Sequence, residues 1–312
     1  MQLTPDILTL LREHPAVSSL MLGRGASIVP KGDLILADIA REGSNEIIDA
    51  LLEMGLHKEG TLQLEPIQAW VSKRGHEAEK RAPGTSADAV VWLDVIQRAY
   101  DDSELNWTFM SFMTLATFIA GIGIILDSQI LTIGAMVLGP EFGCIAAMGV
   151  ALVQNRWGLL GHAVRSLALG FAVAIVLTTL ITLVGRALGW VTSEDVVTKR
   201  SNALFIYQPD KWSLVVAVIA AAAGVLSLTS ARMGGLSGVF ISVTTIPAAG
   251  NVAIGIAFGA WDEIRGSALQ LLINIVGMAI AGWITLALQK AVWRRITVRN
   301  WRASGRPTKY PT

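Results

Sequence analysis

A carboxylate stands beside a proline in the middle of an apolar run, Val137-Leu138-Gly139-Pro140-Glu141-Phe142-Gly143-Cys144. A charged side chain at the centre of a bilayer costs about 2.5–3.5 kcal/mol on insertion scales. Glu141 therefore calls for a partner or a function, and its chemistry would be proton exchange or cation binding. A second apolar run carries neutral donors and acceptors at Thr244, Thr245 and Asn251, around Pro247 and Gly250. Asn274 stands further along on a later apolar stretch. Arg165 is the candidate charge partner for Glu141. Structural readings stand beside these. Glu141 can lie near an interface, hydroxyls in membrane helices often bond back to their own helix, and Arg165 can snorkel to the membrane surface with Arg156 and His162.

The two runs share a pattern. Pro140 to Gly143 and Pro247 to Gly250 are both Pro-x-x-Gly. Each is followed by a similar string, Ala147-Met148-Gly149-Val150-Ala151 and Ala253-Ile254-Gly255-Ile256-Ala257. Proline removes a backbone donor and clashes with the turn before it, and glycine weakens a helix further. Backbone groups freed in this way are tolerated in lipid only where they are buried or line a wet cavity. Two breaks at matching positions point to a solute site. The expected pathway residues are Pro140, Glu141, Gly143, Thr244, Thr245, Pro247, Gly250, Asn251 and Asn274. No catalytic set, metal motif or cofactor motif occurs, and the four histidines are scattered.

These residues need helices to hold them. Six apolar runs approach the roughly 20 residues a span requires: Trp107–Leu126, Ile130–Val153, Leu159–Leu183, Leu214–Ser230, Leu236–Ala260 and Ser267–Gln289. Three runs per half, an odd number, make the halves cross in opposite senses, as two inverted three-helix repeats with helices broken at Pro140 and Pro247. The short Asp127–Gln129 and Trp261–Gly266 turns and the Arg186–Trp212 loop would then lie on one side, and the Gln154–Gly158 and Ala231–Gly235 turns on the other. The tail after the last run carries Lys290, Arg294, Arg295, Arg299, Arg302, Arg306 and Lys309 and no acid, which marks the cytoplasmic side. With six spans both termini are cytoplasmic.

Composition divides the chain. Its 312 residues are 53% hydrophobic and 16% charged, with mean hydropathy +0.54. Residues 1–106 hold 10 basic against 17 acidic side chains, a net of −7. Residues 107–312 hold 15 against 7, a net of +8. The start lacks a basic and apolar leader, so the first part is expected in the cytoplasm. Thr4-Pro5-Asp6 reads as a helix start with Thr4 as its capping hydroxyl. Val17–Leu22 and Leu34–Ile39 read as strands, and Ser44 to Gly55 reads as a capped helix. Thr61–Leu64 reads as a third strand. The order αββαβ is a ferredoxin-like unit lacking its first strand. The expected divisions are 1–66 as this α+β domain, 67–106 as polar linker and amphipathic connector helix, 107–293 as the transmembrane domain and 294–312 as a basic tail.

The stretch from Ile124-Ile125-Leu126-Asp127-Ser128 through Gly134-Ala135-Met136 to Pro140-Glu141-Phe142-Gly143 resembles the domain of unknown function 389 family, also called the uncharacterised hydrophobic-domain family. The resemblance covers roughly Ser111 to Leu288. Ala89-Val90-Val91-Trp92 and the acidic N-terminal part are similar to its actinobacterial branch. The resemblance implies a prokaryotic plasma-membrane protein and names no substrate. The expectation is a bacterial inner-membrane transporter or channel for a small solute or ion, not an enzyme, with a cytoplasmic domain that regulates it or joins copies into a homo-oligomer. The alternative is a membrane-anchored sensor or scaffold. Lipid bilayer, further copies of the chain and a small solute or ion are the expected partners; nucleic acid is not.

Overall fold

The computed structural model describes residues 3–67, 71–82, 89–192, 211–229 and 245–303, with the backbone alone at 211–214 and 294–303. The chain forms two compact units. One holds residues 1–95 with 229–232 and 290–312; the other holds 96–228 and 233–289.

The first unit is built on a two-stranded antiparallel ribbon. Helix α1 (Thr4–Glu13) leads into β1 (Val17–Ser27), which pairs with β2 (Gly32–Ile39). Helix α2 (Ser44–Glu53) follows, then the short α3 (Leu56–Glu59) and α4 (Lys73–Arg81). Ile7 and Leu11 of α1 pack with Ile47 and Leu51 of α2 over Val17, Leu20, Ile35, Ala37 and Ile39. The i, i+4 spacing puts each helix pair on one face, and alternation sends one side of the ribbon inward. Gly55, at φ 82, turns the chain after α2, as a C-terminal glycine should.

Three expectations change here. Thr4 does not cap α1; its hydroxyl donates to Asp33 Oδ2 at 2.9 Å. Ser44 also leaves its helix start uncapped, because its hydroxyl points back to the Ala40 carbonyl. Thr61–Leu64 is not a strand. Leu62 alone of that stretch packs on the core, and so short a segment between Gly60 and Pro66 cannot reach a ribbon edge as well. The sheet of the described residues therefore has two strands. The unit also runs past residue 66. Asn45 Nδ2 donates to the Val90 carbonyl at 2.6 Å, and Asn45 Oδ1 accepts from Trp92 N at 3.0 Å. Arg41 Nε donates to the Ala89 carbonyl at 2.6 Å. These bonds tie the stretch before α5 (Trp92–Asp102) to α2.

The second unit is an apolar helix bundle: α6 (Trp107–Ile125), α7 (Gln129–Leu138), α8 (Glu141–Val153), α9 (Trp157–Ala187), α10 (Lys211–Thr229), α11 (Thr245–Phe258) and the start of α12 (Trp261–Ala303). Helices α6 and α9 and the stretch Trp261–Trp293 of α12 are each long and apolar enough to cross a bilayer. Helices α7 and α8 pass the same test together, bent by 51°. The chain is therefore a multi-pass membrane protein with three or four spans of this kind among the described residues. Trp107, Trp157 and Trp261 open the three long helices and are exposed, where interfacial tryptophans belong. Helix α11 is the core: all of its residues but Ile256 and Phe258 are buried. It packs on α6, α7 and α9, and α8 packs on α9.

Four of these helices end alike. Asp127, Asn155, Gly189 and Gly259 have left-handed φ of 48, 54, 72 and 72°. The next amide in each case bonds to the carbonyl five residues earlier: Ser128 to Gly123, Arg156 to Ala151, Trp190 to Gly185 and Ala260 to Gly255. This is the Schellman closure, which satisfies orphan carbonyls. It also sharpens the expected turns. Helix α12 starts at Trp261, so Trp261–Gly266 is helix and not a turn; Asp262 and Glu263 suit its positive end. Arg186 belongs to α9 rather than to a loop. Helix α12 continues through residue 303, so no helix end separates the last span from the start of the basic tail. Ala231–Gly235 and most of Arg186–Trp212 lie outside the described residues.

Candidate functional site

Pro140 and Pro247 do not break helices in the same way. The first break precedes the Pro-x-x-Gly: α7 ends at Leu138, Gly139 is extended, and Pro140 is the N-cap of α8. Helix α7 rises about 15 Å and α8 about 20 Å, against about 30 Å of bilayer hydrocarbon. Neither crosses alone, so the break falls inside the apolar layer. Pro247 and Gly250 instead lie within the continuous helix α11, and the stretch 230–244 before it, with Thr244, is outside the described residues. At Pro247, the third residue of described helix, an absent N–H is tolerated.

Glu141 opens α8 and is buried. Thr245 Oγ1 donates to Glu141 Oε1 at 2.7 Å, so the polar start of α8 meets the first residue of α11. Gly139 lets them approach: a Cβ there would fall on Glu141 Oε2 and lie 2.7 Å from Ile246 Cγ1. Gly143 serves another contact, since a Cβ there would lie 2.7 Å from the Asp102 carbonyl at the end of α5. Burial pushes the Asp102 carboxyl above its ordinary range, helped by Asp101 and opposed by Arg98. Phe142, between the two glycines of that turn, covers Gly224 of α10.

Arg165 is not part of this site. The buried positions of α9 nearest to it are Ala163, Ser166, Leu167 and Gly170, and Arg165 points away from them, exposed. It forms no ion pair among the described residues. Its role follows from its counterpart along the helix. Twenty residues without charge, Ser166–Gly185, separate Arg165 from Arg186; they rise about 30 Å, the thickness of the hydrocarbon layer. Arg186 closes the far end. Its Nη1 donates to the Ala257 carbonyl at 2.8 Å, and its guanidinium stands 5.1 Å over the Phe258 ring. A cation there meets the negative end of α11. Thr179 Oγ1 reaches the Ala253 carbonyl at 3.2 Å one turn below, so α11 and α9 run side by side. Thr245, twelve residues before Ala257, is then about 18 Å below the Arg186 level. The Glu141–Thr245 pair sits near the middle of the layer.

Asn251 is buried on α11, and its Nδ2 donates to Ser267 Oγ of α12 at 2.9 Å. One turn on, a Cβ at Gly255 would lie 2.7 Å from Ile264 Cγ1. These two contacts set an antiparallel register between α11 and α12. Carried down the pair, that register sets Gln270 level with Ala248 and Asn274 level with Thr245. Ser267, Gln270 and Asn274 are all buried. They fall at i, i+3 and i+7, on one helical face.

So Glu141, Thr245, Asn251 and Asn274 lie along one polar seam. Pro140 is the N-cap of the helix that Glu141 opens, and Gly143 packs that helix on the end of α5. Gly250 packs α11 on α6 instead, where its Cβ would lie 3.1 Å from Gly121 N and 3.2 Å from the Thr117 carbonyl. Sequence reasoning passed over Ser267; its spacing to Gln270 and Asn274 was the available signal.

An uncharacterized protein of Methanocaldococcus jannaschii is 24% identical over 239 residues, covering 76% of this chain and 70% of its own length. No solved structure matches the chain. The family model described as domain of unknown function (DUF389) matches residues 136–280, from the turn before Gly139 to the middle of α12. The seam falls wholly within that match, and residues 136–280 belong to the DUF389 family.

Proposed function

We propose that the helix bundle is a transporter or channel for a small solute or ion, and not an enzyme. One observation carries this reading: the buried Glu141, at a break between two half-length helices, is hydrogen-bonded to Thr245 of another helix. Ionisable side chains inside a membrane bundle mark substrate and ion pathways or proton relays, and broken helices build such sites.

The reading includes six spans in two inverted repeats. Its support is the repeated order around α8 and α11: a short buried helix with a proline at its cap or in its first described turn, a left-handed residue, then a long helix that opens on tryptophan. It places both termini in the cytoplasm of a bacterial cell, on the strength of the basic tail. The N-terminal unit, taken as a reduced ferredoxin-like domain, regulates the bundle or joins copies into a homo-oligomer.

The test is flux into liposomes holding the purified full-length protein, screened across inorganic ions and small organic solutes. Glu141→Gln is expected to lower flux at least tenfold while leaving the thermal midpoint within a few degrees. Wild-type flux no greater than that of empty liposomes for every solute would sink the reading.

A further inference from the structure

The seam between α11 and α12 holds an oxygen whose use the helix contacts leave open. Asn251 has two amide protons and one carbonyl oxygen. Its nitrogen donates to Ser267 Oγ at 2.9 Å. Its Oδ1 is buried and accepts no hydrogen bond from the described residues. A buried acceptor left so costs about 1–3 kcal/mol, so a ligand that satisfies it binds with that advantage.

The surroundings select the ligand. An anion requires positive charge or several donors, and Asn251, Ser267, Gln270 and Asn274 are all uncharged. A larger neutral solute requires room. On either side of Asn251 the backbone is closely packed: a Cβ at Gly250 would lie 3.1 Å from Gly121 N, and one at Gly255 2.7 Å from Ile264 Cγ1. A divalent cation prefers several carboxylates, and no group of three or more His, Cys, Asp or Glu able to hold a metal occurs among the described residues. A small monovalent cation fits, because neutral carbonyl-type oxygens can replace its hydration shell. Below Asn251 the same face of α12 offers the carboxamides of Gln270 and Asn274. The register brings Asn274 level with Thr245, which is bonded to the carboxylate of Glu141.

We propose that this seam binds a dehydrated alkali-metal cation, held first at Asn251 Oδ1 and led past Gln270 and Asn274 toward Glu141. The movement rests on the transport reading; the binding does not.

The experiment is thermal unfolding of the full-length protein in detergent, titrated with NaCl, KCl or LiCl against choline chloride at constant ionic strength. Wild type is expected to gain several degrees, saturably, with at least one alkali cation and not with choline. Asn251→Leu should abolish the gain. Asn251→Asp keeps an oxygen in place and adds charge, so its half-saturating cation concentration should fall about tenfold; this variant decides the matter if the leucine variant does not fold. Identical midpoints in all four salts would mean that water or protein alone fills the seam, and would overturn the proposal. A cation response retained in Asn251→Leu, or unchanged in Asn251→Asp, would overturn it too. Wild type that binds a cation but shows no flux into liposomes would sink transport and leave the site standing.

Discussion

Glu141 was legible because a carboxylate in an apolar run is costly, and cost draws attention. Its partner was not. Arg165 has the right charge, yet the face of α9 on which it lies is set by which neighbours are buried. Thr245 supplies a hydroxyl instead, and nothing in its type distinguishes it from hydroxyls bonded to their own helix, such as Thr117 and Thr182. Removing that hydroxyl tests the pair: Thr245→Val should destabilise by about 1–3 kcal/mol, since a buried carboxyl oxygen loses a hydrogen bond, while Thr245→Ser should cost much less. Chemical or thermal unfolding of both variants separates the outcomes. Outside the membrane, burial pushes the carboxyls of Glu42 and Asp49 upward, with Glu79 adding to the first and Glu53 to the second. The folded state then holds these protons more tightly than the unfolded chain. Stability falls as pH rises from the ordinary carboxyl range through the raised values. Glu42→Gln and Asp49→Asn should therefore raise the thermal midpoint at pH 7, and the gain should vanish below about pH 4. A gain that grows on acidification would contradict this assignment.

At the scale of elements, hydropathy found α6, the α7–α8 pair, α9 and the last long helix, because a run of some twenty apolar residues is what a bilayer crossing demands. It misjudged their ends. The signal for those ends lay in backbone closure, where Asp127, Asn155, Gly189 and Gly259 each adopt left-handed φ, and only the two glycines announce that by type. Asn155→Gly should hold or raise stability. Gly259→Val should cost about 1 kcal/mol or more, because a β-branched residue is strained at positive φ. Melting curves of the two proteins give opposite signs if the closures matter as described. The third strand failed for the converse reason. Thr61–Leu64 alternates like a strand, but pairing is decided by reach to a neighbour, which so short a stretch does not encode. The two Pro-x-x-Gly patterns lie on the helices that meet at Glu141 and Thr245, although the helix break lies ahead of the first proline and the second lies inside a continuous helix.

Over the whole molecule, the charge split separates an acidic N-terminal part from an apolar one at residue 106, whereas the first compact unit ends at residue 95 and also takes in residues 290–312. The boundary did not fall at Pro66, because Asn45 and Arg41 hold residues 89–92 by side-chain bonds that composition cannot reveal. One feature of the bundle reaches beyond its own packing. Helix α9 carries arginines at both ends of an apolar stretch about 30 Å long, and Arg186 is pinned to the end of α11. A bilayer thinner or thicker than that stretch must tilt the helix or drag a charge, at a fraction of a kcal/mol for each ångström. Because Thr179 and Arg186 both bond to α11, the strain passes to the helix that bears Thr245 and Asn251. The protein should thus act as a gauge of its membrane. In bilayers of graded acyl length its thermal midpoint should peak at one chain length, and Arg186→Gln should flatten that peak by freeing the two helices to tilt apart.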